Sequence, residues 1–177
     1  SSEARADGHA WRARACAVLT GIGTIKADNP LLDVRLVDSP RQPHLVVVDS
    51  RLETPIGARL FDVKRTVVIY AAVPNAERKA ALESCGAKVV YCPGSVSGME
   101  SKVDLAAMLG DLAHREMNEL HVEAGEKLNG SLLRHRLVDE IVAYLAPKLI
   151  GTGRGMANLP SLTSLDGAFP LTFESVE

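Results

Sequence analysis

The sequence has little that would tie it to nucleic acid, a metal, a membrane or an oxidising compartment. Its 177 residues include only 3 cysteines, Cys16, Cys85 and Cys92. They are odd in number, lack CxxC spacing and lie in or beside apolar runs, as reduced thiols in a cytosolic core do. His9, His44, His114, His121 and His135 never pair at the spacing of a zinc site, so no metal is expected. No apolar run is long enough to span a bilayer and no signal peptide opens the chain, which makes the cytoplasm the expected address. An excess of either charge is missing too: the formal net charge is -2 and the pI is near 6.2. With its basic residues spread along the chain, the protein carries no electrostatic footprint for nucleic acid or an anionic membrane. There is no internal repeat and no G-x-G-x-x-G fingerprint.

What is present is 46% hydrophobic content, enough for one sizeable core and a single globular domain. Apolar runs alternate with helical patterns. Ala15 to Leu19, too short for a helix, and His44 to Val48 read as strands buried on both faces, and Thr66 to Ala71 and Lys88 to Tyr91 as a third and a fourth strand. Leu120 and Val122 form a further strand, with His121 on its opposite face. Val138 to Ile150, with Ile141, Ala143 and Leu145 in alternation, reads as a sixth strand, and Phe169 to Glu177 as the start of one more. Helices are expected from Ser1-Ser2-Glu3 to about Arg14, from Asn75 to Cys85 with Gly86 closing it, and from Asp104 to Met117 with Asp104 as cap. Cys92 to Glu100 reads as a turn-rich linker and Gly151 to Gly155 as a loop. Strands alternating with helices predict a largely parallel sheet covered on both faces, with ligands at the carboxyl ends of its strands.

Three junctions fall on that expected edge. Glu123 ends one strand, and Ala124-Gly125 turns into a segment with Leu128, Leu132 and Leu133 on one helical face. The backbone N–H groups of Gly125, Glu126 and Lys127, the helix dipole and the Lys127 ammonium would suit a phosphate; an ordinary strand-to-helix crossover has the same pattern. At the second junction, Thr20-Gly21-Ile22-Gly23-Thr24 precedes a helical turn, Ile25 to Asp28, that Asn29-Pro30 stops. Gly21 and Gly23 permit close backbone approach, while Thr24 and Asp28 offer a hydroxyl and a carboxylate one turn apart; N-cap and turn roles explain the same residues. The third is Asp49-Ser50-Arg51, which suits a phosphate monoester such as that of NADPH, although polar turns are common. Elsewhere, Arg5, His9 and Arg12 share a helical face whose default reading is solvated. Arg35, amid apolar neighbours in Leu31 to Leu36, needs a partner or a cleft.

Three blocks, ARACAVLTGIGTIKADNPLLDVR, HLVVVDS and VEAGEKLNGSLLRHRLVDEIVAYLAPKLIG, resemble the reductase domain of the bifunctional riboflavin-biosynthesis deaminase-reductase. The resemblance runs from about Ala4 to Glu177. It implies an α/β, dihydrofolate-reductase-like three-layer fold with a mostly parallel central sheet. It also implies NADPH-dependent reduction of 5-amino-6-(5-phosphoribosylamino)uracil, a phosphorylated pyrimidine, to its ribitylamino phosphate, and a homodimer or higher homo-oligomer.

Carried over residue by residue, the resemblance puts Arg12, Leu32, Arg35 and Glu123 at substrate-binding positions and reverses the solvated default for Arg12. It puts Thr24, Asp28, Ser50 and the run Gly125, Glu126, Lys127, Leu128, Asn129, Gly130 and Ser131 at cofactor-binding positions. Asp28 and Glu123 are the candidate catalytic groups, expected to hold donors of the nicotinamide or pyrimidine and to relay a proton if burial raises their pKa. The sequence departs from the family in lacking its first strand, with a Ser-Leu-Asp-Gly-like motif and a Ser-x-Trp segment, and its final strand. Residues 1–177 are therefore expected to be a reductase domain truncated at both ends. The zinc-deaminase signature H-x-E with P-C-x-x-C is absent, so no deaminase domain is expected in this chain. The rival reading is a non-catalytic assembly module with an incomplete site, and a second enzyme reading is dihydrofolate reduction, disfavoured because paired arginines suit a phosphate better than a pterin.

Overall fold

A computed structural model of the chain describes residues 1–94, 101–149 and 151–176. Five strands, β1 (Ala17–Gly21), β2 (His44–Val48), β3 (Val67–Ala71), β4 (Ala87–Tyr91) and β5 (Leu120–Val122), form one sheet in the order β4-β3-β2-β1-β5, with every pairing parallel. The apolar runs form central strands because both of their faces are covered. Val18, Leu45, Val47 and Ile69 belong to the core on one face, whereas Leu19, Val46, Val68 and Tyr70 belong to the core on the other. Each fully buried aliphatic side chain of this kind contributes about 1.5–3 kcal/mol.

Among the described residues five α-helices complete the layers: α1 (Ser2–Arg14), α2 (Ile22–Asp28), α3 (Ala76–Ser84), α4 (Leu105–His114) and α5 (Glu126–Arg134). Ile25 of α2 and Leu82 of α3 pack into the first core; Met108 and Leu112 of α4 and Leu132 of α5 pack into the second. Side-chain caps set several helix starts. The Ser1 hydroxyl accepts from the Ala4 amide, Asn75 from Arg78 and Asp104 from Ala107. Gly86 leaves α3 at φ +91, a conformation that disfavours any side chain. The second helix starts earlier than expected, at Ile22 directly after β1, and ends on Asn29 in the left-handed region.

The sixth strand is not formed over the described residues 138–149, and Ile150 lies outside them. Residues 138–149 are irregular and mostly exposed, with Leu145 94% accessible. They face β5 across a cleft of about 600 Å³ lined by Leu120, Val122 and Val138 to Val142. Alternation creates a strand only where a neighbouring backbone takes up its hydrogen bonds, and β5 pairs with β1 alone among the described residues. Residues 169–176 are likewise irregular, with Phe173 90% exposed. Gly151 to Gly155 is a loop as expected, and residues 95–100 of the expected linker lie outside the described residues.

Candidate active site

The parallel register brings the three junctions to one sheet edge. Leu19 is level with Val122 and Gly21 with Val48, so the chain leaves β5, β1 and β2 side by side at Glu123, Ile22 and Asp49. Two bonds tie the first two together: the Glu123 amide donates to the Leu19 carbonyl at 2.9 Å, and the Thr20 hydroxyl donates to the Glu123 carbonyl at 2.8 Å.

The strongest electrostatic feature on this edge is Glu123. Its carboxylate receives Nε and Nη2 of Arg12, the latter at 2.7 Å, while Arg12 Nη1 donates to the Asp33 carbonyl at 2.8 Å. His121 Nε2 lies 3.3 Å from Glu123 Oε1, as alternation expects of residues two apart, both opposite Leu120 and Val122. Burial alone would raise the Glu123 pKa, but the hydrogen bonds and charge of Arg12 and His121 outweigh it and hold the group at about 2. Glu123 is thus ionised at neutral pH. A proton relay through it required a raised pKa, and this geometry builds an anionic anchor instead.

The face Arg5-His9-Arg12 is not uniformly solvated. His9 is buried and its Nδ1 accepts from the Arg35 amide at 3.2 Å; burial lowers its pKa and favours this neutral, accepting form. Arg5 remains exposed, whereas Arg12 is largely covered. Arg35 is paired with the Asp33 carboxylate and lines a cleft of about 250 Å³ with Arg12, Pro30, Leu31, Leu32 and Arg59.

On the neighbouring helix, Thr24 is half-buried and Asp28 is exposed at the C-terminal end of α2, with no hydrogen bond or ion pair to any described residue. Asp28 and Glu123 share no contact. Ser50 is half-buried behind β2, its carbonyl accepting from the amides of Ala72 and Val73 at 3.0 and 2.8 Å. Asp49 fixes this turn: fully buried, it accepts from the amides of Glu53 and Thr54 and from the Thr54 hydroxyl.

Helix α5 has Gly125 as an N-cap without a side-chain bond, and the amides of Gly125, Glu126 and Lys127 find no acceptor among the described residues. These donors and the exposed Lys127 fit a pyrophosphate or carboxamide at this edge. The rest of the run does other work. The Glu126 carboxylate accepts from the Gly155 amide, Asn129 Nδ2 donates to the carbonyls of Ala124 and Met156, and the Ser131 hydroxyl donates to the Lys127 carbonyl. Leu128 packs against the second core, and Gly130 is buried against the backbone of Asn158.

Comparison with known proteins fits this layout. The family described as the RibD C-terminal domain matches residues 1–177. The chain belongs to that family. Riboflavin biosynthesis protein RibD of Aquifex aeolicus is 29% identical over 177 residues, 100% of this chain and 47% of that one. The 5-amino-6-(5-phosphoribosylamino)uracil reductase of Buchnera aphidicola is 26% identical over 155 residues, 85% of this chain and 75% of that one. The solved structure of Acinetobacter baumannii RibD superposes with a TM-score of 0.78 at 27% identity, covering 96% of this chain and 45% of that one. The chain therefore spans about half the length of the RibD relatives it matches, and the α/β, dihydrofolate-reductase-like fold is the family's.

Sequence reasoning missed Arg59, Arg65, His9 and Asp33 as parts of this edge. Only His9 carried a signal, its helical spacing to Arg12. Among the described residues no group of three or more His, Cys, Asp or Glu side chains is placed to hold a metal, and no helix is long and apolar enough to cross a membrane.

Proposed function

We propose that this chain reduces 5-amino-6-(5-phosphoribosylamino)uracil to its ribitylamino phosphate, with NADPH as the hydride source and as a cytoplasmic homodimer. The observation that carries this reading is the sheet edge where the Arg12–Glu123 pair and its arginine-lined cleft lie beside the open amides of α5. Membership of the RibD C-terminal domain family supports it.

A reduced nicotinamide nucleotide, when bound, would supply a hydride to the sugar carbon of the opened, imine-like ribosylamine, whose nitrogen takes up a proton. The amides of Gly125 to Lys127 are the groups of this chain that would hold its phosphates, with Thr24, Asp28 and Ser50 along the same edge. Glu123, kept ionised, accepts from donors of the pyrimidine and orients Arg12. The protein's contribution is alignment and exclusion of water, with no nucleophile needed.

A thermal-shift titration of the chain tests this. NADPH at a hundred times its Kd stabilises the fold by about 2.7 kcal/mol, and NADH at the same concentration does not. The phosphorylated substrate with NADPH then yields oxidised cofactor. Failure of NADPH to stabilise would favour the non-catalytic assembly module.

A further inference from the structure

Arg12 and Arg35 are already engaged within the protein. Arg12 gives Nε and Nη2 to Glu123 and Nη1 to the Asp33 carbonyl, and Arg35 gives Nη1 to the Asp33 carboxylate. Arg59, an exposed residue lining the same cleft, is different. Its guanidinium has no hydrogen bond or ion pair to any described residue, while its backbone is held in place: the Arg59 amide donates to Asn29 Oδ1 at 2.9 Å. Asn29, in the left-handed conformation at the end of α2, thereby pins the short 3-10 turn Arg59–Asp62 beside the cleft.

A fourth arginine is bonded to residues that line this cleft. Arg65 donates Nη1 to the Leu32 carbonyl at 2.5 Å and Nη2 to the Leu31 carbonyl, leaves Nε without an acceptor, and has no carboxylate bonded to it. Leu31 and Leu32 line the cleft, and Leu32 is held at φ +52, a conformation costly for a branched side chain. Burial lowers the Arg65 pKa to about 10, which still leaves it cationic at neutral pH. Of these four arginines, Arg12 and Arg35 pair with Glu123 and Asp33, whereas Arg59 and Arg65 have no carboxylate bonded to them among the described residues, a surplus of two guanidinium groups over the carboxylates that pair with them. That surplus matches a phosphomonoester dianion.

We propose that Arg59 is the direct phosphate contact of this cleft, a third arginine beside Arg12 and Arg35, with Arg65 as the positioning residue that holds the Leu31-Leu32 backbone lining it. This rests on the proposed reduction of a phosphorylated substrate and names the residue that grips the phosphate. Arg59 offers a planar fork with all five donors open, whereas Arg12 commits three of its N–H groups to protein acceptors and Arg35 commits one.

The test is isothermal titration of ribose 5-phosphate, with ribose as the uncharged control, into the wild-type chain and into Arg59→Gln, Arg59→Lys and Lys148→Gln. Lys148 is exposed and outside the cleft. Ribose 5-phosphate is expected to bind the wild type and Lys148→Gln alike, about tenfold or more weakly to Arg59→Gln, and with partial recovery in Arg59→Lys. Ribose should give no heat. NADPH binding to Arg59→Gln at wild-type strength shows that the variant is folded. Equal affinity of wild type and Arg59→Gln for ribose 5-phosphate would overturn the role of Arg59 and leave the reductase reading standing. No binding to the wild type would overturn the cleft as a phosphate site as well, whereas the cofactor titration would still judge the reductase reading by itself.

Discussion

Glu123, just past the end of β5, and Arg12, in the last turn of α1, are 111 residues apart in sequence and joined by a two-point ion pair. The pair clamps the first helix to the sheet edge. It also decides the chemistry available there, because a carboxylate gripped by a guanidinium stays charged.

Glu123→Gln should lower stability at pH 7 by about 1–3 kcal/mol, since Arg12 then loses its counter-charge in a partly covered site. The pH dependence has a definite sign. Glu123 has its folded pKa depressed from 4.5 to about 2, so its contribution is present above pH 4.5 and is lost as the pH falls toward 2. Urea unfolding at a series of pH values should show a shallower acid loss in the variant over that window. Identical slopes for the two proteins would contradict the depressed pKa.

Asp49→Ala should cost about 2–4 kcal/mol, because two amides and a hydroxyl in the turn after β2 lose a fully buried acceptor. Asp49→Asn keeps one accepting oxygen and should lose less. Hydrogen exchange of the Glu53 and Thr54 amides reports the change locally; protection equal to wild type in Asp49→Ala would refute the role given to this carboxylate.

Gly130→Ala tests how α5 holds the chain that follows it. A methyl group there would sit 2.1 Å from the Asn158 carbonyl oxygen and 2.8 Å from its carbon, so backbone has to move. The segment is bound to α5 through Asn158 N to the Glu126 carbonyl at 2.8 Å, Arg134 Nη1 to the Asn158 carbonyl at 2.5 Å and Asn129 Nδ2 to the Met156 carbonyl at 3.0 Å. The substitution should destabilise by about 1–3 kcal/mol and open residues 151–160 to limited proteolysis while the sheet persists. Wild-type resistance to protease would show that the segment adapts without leaving the helix.

Much of the fold was legible because its determinants are local. His44 to Val48 forms a strand with the boundaries its apolar run marks, and Asn75 and Asp104 cap the helices they precede, since a cap acts within one turn. The stretch from Val138 misled for the same reason. Its alternation is real, but a strand needs a second backbone, and nothing within a dozen residues says whether one will be there. Arg59 and Arg65 were illegible because each owes its place to residues roughly 30 positions away, Asn29 in one case and Leu31-Leu32 in the other.

By itself, then, the sequence determined a parallel α/β domain, the three polar junctions that follow its strands, and the family resemblance that named their chemistry. The tertiary structure decided which of those groups remain available. Folding brings Arg12 onto Glu123 and Asn129 onto Met156, satisfying side chains that the sequence alone presented as open, and it leaves the α5 amides and the Arg59 guanidinium without partners among the described residues. The physical reason is that hydrogen-bonding capacity is a property of a residue, whereas its satisfaction is a property of its neighbours in space.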